Sequence, residues 1–243
     1  MSTPPQLTYP AASTSRRRFW LGGSVLLTLA VGVIVFRGPL FRHNFGVVDA
    51  GKVYRSAQPK AEFPELAARL KLGSVLNLRG GSPGDVWYAD EVRATTDQGI
   101  DFYDFPMSAT RRPARSELRT LADLFERCRY PVLIHCKSGS DRTGLASTLY
   151  LLTVKSVPPE QAVGEFSLYY GHVPLSGTRR LHEPFDEYAE WLRRGKHSHS
   201  RARFETWLET IYVDDTPAVA VRPIRPGPRA GFASEPSRRT TSR

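Results

Sequence analysis

Val132-Leu-Ile-His-Cys-Lys-Ser-Gly-Ser-Asp-Arg-Thr-Gly144 reads as strand, tight loop and helix in succession. Val132 to Ile134 is a short apolar run behind Pro131, suited to a buried strand. Leu145 to Val154 is apolar enough for a buried helix, which Thr143 can start. Five residues separate Cys136 from Arg142. A loop of this kind on a helix N-terminus turns successive backbone N–H groups inward and so makes an anion site. Arg142 adds a planar fork that grips two oxygens of a phosphate. Cys136 sits in that positive field, which favours the thiolate, the nucleophilic form of the side chain. A free cysteine is more often a small buried hydrophobe. The whole string His-Cys-x-x-Gly-x-x-Arg-Thr-Gly, set between strand and helix, points instead to a nucleophile in a phosphate cradle.

At these residues the chain resembles the cysteine-dependent protein tyrosine and dual-specificity phosphatase superfamily, in its compact bacterial branch. The resemblance is most specific over 132–147 and extends from about Val47 to Leu192. Tyr54-Arg-Ser-Ala-Gln-Pro59 is similar to an opening string of small members. The resemblance implies an α/β fold, with the loop at the C-terminal end of a central strand, and neither metal nor organic cofactor.

The chain of 243 residues is long enough for one ordinary domain with extensions. Its formal charge of +10 would suit a nucleic-acid binder, but the distribution argues otherwise. Residues 1–44 hold five Arg and no acid; residues 216–243 hold six Arg and one Glu. The intervening part is close to neutral, whereas a nucleic-acid domain carries its own basic face, so no nucleic-acid partner is expected. The two cysteines, Cys128 and Cys136, do not define a redox compartment, because Cys136 is needed as a thiolate and Cys128 reads as core.

Four regions are expected: a disordered basic N-terminus (1–18), a transmembrane or signal-anchor helix (19–36), a phosphatase-type domain (45–213) and a disordered basic tail (214–243). Phe19 to Phe36 runs 18 residues without a charge behind Arg16, Arg17 and Arg18. At about 1.5 Å per residue it approaches the ~30 Å hydrocarbon core. Ser15-Arg-Arg-Arg-Phe-Trp-Leu21 resembles a twin-arginine export signal. No small-residue cleavage site precedes Arg37, which favours an uncleaved anchor. Flanking charge and the export resemblance both set the domain on the outer, periplasmic side of the cytoplasmic membrane.

Within the domain, short strands are expected at 47–48, 53–54, 74–78 and 100–106, before the loop's own strand. Helices are expected over 64–72, ended by Gly73, and over 85–97, 113–127, 157–169, 178–194 and 201–212. Strands alternating with helices argue a mostly parallel or mixed sheet between helices. Arg79 falls at a strand's C-terminal end, where sites collect, yet reads equally as an exposed loop residue. Lys196-His-Ser-His199 is read as a solvated loop and not as a metal site, since no cysteine or acidic cluster accompanies it.

The chemistry expected is two-step phosphomonoester hydrolysis. Cys136 attacks phosphorus, the alcohol leaves, and water cleaves the cysteinyl-phosphate. Lys137, Ser138, Gly139, Ser140, Asp141, Arg142 and Thr143 form the phosphate cradle, its amides and the Arg142 fork holding the oxygens. By the resemblance, Thr143 donates its hydroxyl to the cysteine sulfur and His135 braces the loop. The leaving oxygen needs a proton. The family's usual acid loop corresponds to Met107-Ser-Ala-Thr-Arg-Arg112, which holds no carboxylate. Asp141 is favoured as the acid over Asp104, with a bracing role as its alternative. Lys137 suits dianionic ligands. The substrate expected is a phosphoprotein (Tyr or Ser/Thr); the alternatives are a lipid or inositol phosphate, or a catalytically silent phosphate-binding module. A sulfurtransferase is disfavoured by the Arg-Thr-Gly ending.

Overall fold

The computed structural model describes residues 24, 26–34 and 43–214. Its core is a five-stranded mixed sheet: β1 (Gly46–Asp49), β2 (Val53–Ser56), β3 (Ser74–Asn77), β4 (Asp101–Asp104) and β5 (Val132–His135), in the order β1-β2-β5-β3-β4. Only the edge pair β1/β2 is antiparallel; β5 is central and parallel to both β2 and β3. Every residue of β3 and of β5 is buried, as parallel strands covered on both faces require.

Alternate strand residues feed two apolar clusters, because successive side chains leave a strand on opposite faces. Val132, Ile134 and Leu76 join a large core with α3 (Arg115–Arg127), α4 (Asp141–Thr153), α6 (Glu183–Gly195) and α7 (Arg201–Thr210). Leu118, Leu121 and Phe125 of α3, and Leu145 and Leu149 of α4, supply its centre. Leu133 and Val75 face the other way, toward α1 (Phe63–Leu70) and α2 (Val86–Asp97), through Phe63, Ala67 and Phe102. The aromatic residues of the last helices, Phe185, Tyr188, Phe204 and Trp207, close the large core.

Three local expectations are corrected. α1 ends at Lys71, which takes the left-handed conformation (φ 52°), and not at Gly73. Gly73 serves a close approach instead: a Cβ there would come within 2.8 Å of the Arg129 and Tyr130 carbonyl oxygens. The helix expected over 157–169 is α5 (Pro159–Ala162) followed by 3₁₀ turns at Val163–Glu165 and Leu168–Tyr170. His199 is no solvated loop residue. Its ring is held between the Tyr188 hydroxyl (2.9 Å) and the Leu152 carbonyl (3.1 Å).

Of the helix expected over 19–36, residues 24 and 26–34 are described, and they are helical; the rest of that span lies outside the described residues. Among the described residues no helix is long and apolar enough to cross a membrane. The N-terminal region 1–18 and the tail from residue 215 onward lie outside the described residues.

Candidate active site

Cys136 follows β5 directly, and the loop from it runs to Ser140, the residue that caps α4. It therefore lies at the C-terminal edge of the central strand, where open α/β sheets place their sites. Cys136 is 1% exposed and is a free thiol, as is the buried Cys128. Burial pushes the Cys128 thiol up, as befits a core residue.

The loop's shape is set by donors behind it. The Lys137 carbonyl accepts from the Gln58 amide (3.3 Å) and the Ser138 carbonyl from Asn44 Nδ2 (2.7 Å). The Gly139 and Ser140 carbonyls accept from Arg55 Nη2 (2.8 and 3.3 Å). The carbonyls of residues 137–140 are thus each held by a donor from outside the loop. A trans peptide sets N–H opposite C=O, so the N–H groups of residues 138–141 point away from those donors. Gly139 (φ 70°) is required twice over, since a Cβ would also come within 2.5 Å of the Ser56 and Ala57 backbone.

Arg55 is fully buried. Its Nη1 donates to the Glu165 carboxylate (2.6 Å) and carbonyl (2.7 Å), and the guanidinium stacks 3.7 Å over the Tyr170 ring. His135, also fully buried, sets Nε2 2.7 Å from Oε1 of Glu91, a buried acid on α2. The other Glu91 oxygen accepts from Gln58 Nε2. The His135–Glu91 contact is close, but neither ring nitrogen of His135 makes a hydrogen bond among the described residues. Asn44, Arg55, Gln58 and Glu91 were not singled out from sequence. The Tyr54–Pro59 string holds Arg55 and Gln58, but neither was given a role there.

Arg142 Nη1 donates to the Leu78 and Met107 carbonyls, 3.2 Å each, which fixes the guanidinium against the ends of β3 and β4. The Thr143 hydroxyl is fully buried and makes no hydrogen bond among the described residues, so the bond expected to the Cys136 sulfur is not observed. Asp141 opens α4, and its Oδ1 accepts from His172 Nδ1 at 2.8 Å. Asp104 is engaged elsewhere, accepting from Asn77 Nδ2 and the Tyr88 hydroxyl, 3.1 Å each. In the segment 107–112, Arg112 pairs in bidentate fashion with Glu187, and Arg111 pairs with Glu117. Both arginines tie the segment to helices.

A cavity of about 900 Å³ opens beside the loop, between α1 and α2. Gln58, Phe63, Arg79, Trp87, Glu91 and Lys137 are among its walls. The Arg79 guanidinium lies 3.7 Å over the Trp87 ring. The structure thus brings together Arg79 and Lys137, two cations far apart in sequence, at one opening.

Residues 39–154 match the family model described as "Tyrosine phosphatase family". Two curated relatives, the dual specificity protein phosphatase TpbA of Pseudomonas aeruginosa strains UCBPP-PA14 and PAO1, are each 31% identical over 115 residues. The alignment covers 46% of this chain and 49% of each relative, so the chain spans about half the length of the curated relatives it matches. The crystal structure of P. aeruginosa TpbA aligns with a TM-score of 0.47 at 21% identity, over 68% of this chain and 96% of that one. The core catalytic domain of the PP-IP phosphatase SIW14 from S. cerevisiae aligns with a TM-score of 0.47 at 22% identity, over 63% and 93%. The loop from Cys136 to Arg142 lies inside the stretch 39–154, and over that stretch the chain is similar to the tyrosine and dual-specificity phosphatases.

Proposed function

We propose that the chain is a phosphomonoester hydrolase acting on phosphoprotein, through a cysteinyl-phosphate on Cys136. The observation that supports this is that the carbonyls of residues 137–140, between Cys136 and Arg142, are all bonded to donors outside the loop, which leaves the loop amides free for an anion. Cys136 Sγ attacks phosphorus as the ester oxygen departs. Water then attacks the same phosphorus and Sγ leaves as the thiolate. The amides of 138–141 and the Arg142 fork neutralise the equatorial oxygens in both transition states. Asp141 is assigned as the acid that protonates the leaving oxygen. It adjoins Arg142 at the loop's end, while Asp104 is held by Asn77 and Tyr88. Loss of turnover on a phosphotyrosyl peptide in Cys136→Ser, with phosphate-analogue binding retained, is the expected result. Appreciable turnover in that variant overturns the covalent route. Binding without turnover in the unaltered protein would identify a silent phosphate-binding module. Preference for an inositol or lipid phosphate over the peptide would move the substrate class.

An N-terminal anchor, with the catalytic domain outside the cytoplasmic membrane, belongs to the same proposal. Its support is the uncharged run 19–36 behind three arginines, with the exposed apolar side chains Leu26, Leu27, Leu29 and Ile34 on its described helical residues. The full-length protein should stay with membranes through high salt and alkali. Release by salt alone overturns the anchor, and a compartment-specific reporter fused to the C-terminus tests its orientation.

A further inference from the structure

We propose that His172 is the positioning residue for Asp141 and holds the proton that Asp141 delivers, so that the two act as one proton-transfer pair. This rests on the reading of Asp141 as the acid. His172 lies beyond the stretch 39–154 that the family model covers, and nothing in its sequence neighbourhood marks it. Its side chain is 3% exposed. Nδ1 meets Asp141 Oδ1 at 2.8 Å, while Nε2 makes no hydrogen bond among the described residues, so the ring communicates with the site through Asp141 alone. The ring is locked in place: its centroid lies 4.9 Å from that of Phe166 and 5.4 Å from that of His182. The backbone of its segment is tied to the loop, since Asn44 Nδ2 bridges the Tyr170 and Ser138 carbonyls, 2.7 Å each.

The chemistry explains why such a pair would be useful. A carboxyl group in water titrates near pH 4 and an imidazole near about 6.5. A lone carboxylic acid is therefore ionised at neutral pH and holds no proton to give. An imidazole in contact keeps a proton available and returns it when the carboxylate is vacated. In the first half-reaction the Sγ–P bond forms and the P–O ester bond breaks. The His172 imidazolium passes its Nδ1 proton to Asp141 as Asp141 gives one to the leaving oxygen, which leaves a neutral ring with its proton on Nε2. In the second, water attacks phosphorus, its proton goes to Asp141 and back to His172, and the thiolate is restored. The nearby charged groups are His182, whose ring packs on that of His172 and lies 2.9 Å from Asp186, Arg142, next to Asp141 in the chain, and Glu165, next to Phe166 in the chain and paired with Arg55. The Ser140 hydroxyl also approaches Asp141 Oδ1 at 3.4 Å.

The test compares tyrosyl phosphate with 2,4-dinitrophenyl phosphate, whose leaving group departs without a proton, across pH 5–9. Asp141→Asn should lose about 10²–10⁴-fold on tyrosyl phosphate and much less on the dinitrophenyl ester. His172→Gln, which can still donate to Asp141 but stores no proton, should shift the basic limb of the tyrosyl phosphate profile to lower pH. Above neutrality the loss should be about tenfold or more, with the dinitrophenyl ester spared. If Asp141→Asn hurts both esters alike, the acid is elsewhere and the reading of Asp141 fails. If Asp141→Asn behaves as stated but His172→Gln leaves the basic limb in place, Asp141 stands and the role of His172 falls. A merely structural His172 would lower the melting temperature and weaken both esters equally, which also overturns the proposal.

Discussion

Arg55 Nη2 donates to the Gly139 carbonyl at 2.8 Å from behind the phosphate loop, across 84 residues of chain. The guanidinium is fully buried and its countercharge, Glu165, is mostly so. Removing one partner of a buried pair leaves the other uncompensated, a cost of roughly 3–5 kcal/mol. Arg55→Ala should therefore lower the melting temperature by about 10 °C, at ~2–4 °C per kcal/mol for a domain of this size. Arg55→Lys keeps the charge but cannot reach Gly139, Ser140 and Glu165 together. It should fold, yet bind vanadate at least tenfold more weakly. Unchanged vanadate affinity in Arg55→Lys would show that the loop holds its shape unaided.

The cavity beside the loop makes a separate prediction. Arg79 stacks on Trp87, and Lys137 faces the same opening. A cation on an indole face is worth ~0.5–1 kcal/mol where exposed, so each partner positions the other. If the part of the substrate beyond the phosphate lies there, Trp87→Ala should raise KM for a phosphopeptide several-fold. The KM for a small aryl phosphate and kcat for both should stay close to the unaltered values. Equal effects on peptide and small ester would place the peptide outside this cavity.

The nucleophile loop could be read from sequence because its parts are contiguous: a buried apolar run, a cysteine, an arginine six places on, and a helix. The parallel strands were readable for the same reason, as short apolar runs between helical stretches. What escaped was everything that acts across the fold. Asn44 reaches Ser138 over 94 residues, and His172 reaches Asp141 over 31. Each is a lone polar residue with no periodicity around it. Local conformations escaped too: a left-handed Lys71 stands where a glycine was the natural helix stop. The helix expected after Pro159 breaks into 3₁₀ turns, which carry Glu165 to Arg55 and the Tyr170 carbonyl to Asn44.

His199 makes stability depend on pH. Burial holds its imidazole below the ordinary histidine value, against a smaller upward pull from the Leu152 carbonyl. A histidine depressed in the folded state binds its proton more tightly once unfolded. Its contribution is therefore complete above about pH 6.5 and is lost as the pH falls below that. Protonation would also set a second N–H against the Tyr188 hydroxyl, now 2.9 Å from Nδ1. The melting temperature should drop between pH 7 and pH 5, and the drop should shrink in His199→Gln. Parallel pH curves for the two proteins would remove His199 as the cause.

Glu91 is another buried group that sequence did not mark, and it lies at the root of the nucleophile. One oxygen lies 2.7 Å from His135 Nε2, next to Cys136 in the chain, and the other accepts from Gln58. Gln58 in turn gives its backbone N–H to the Lys137 carbonyl. Glu91→Ala removes the acceptor of the buried Gln58 amide and the close neighbour of the buried His135, and an orphaned buried donor costs ~1–3 kcal/mol. The variant should therefore melt several degrees lower. Glu91→Gln fills the same volume and keeps an acceptor, so it should recover most of that loss. If the carboxylate itself positions His135, Glu91→Gln should be well folded and still slower in kcat. Alkylation of Cys136 by iodoacetate should slow in parallel. A variant with normal melting temperature and normal alkylation rate would reduce Glu91 to a packing residue of α2.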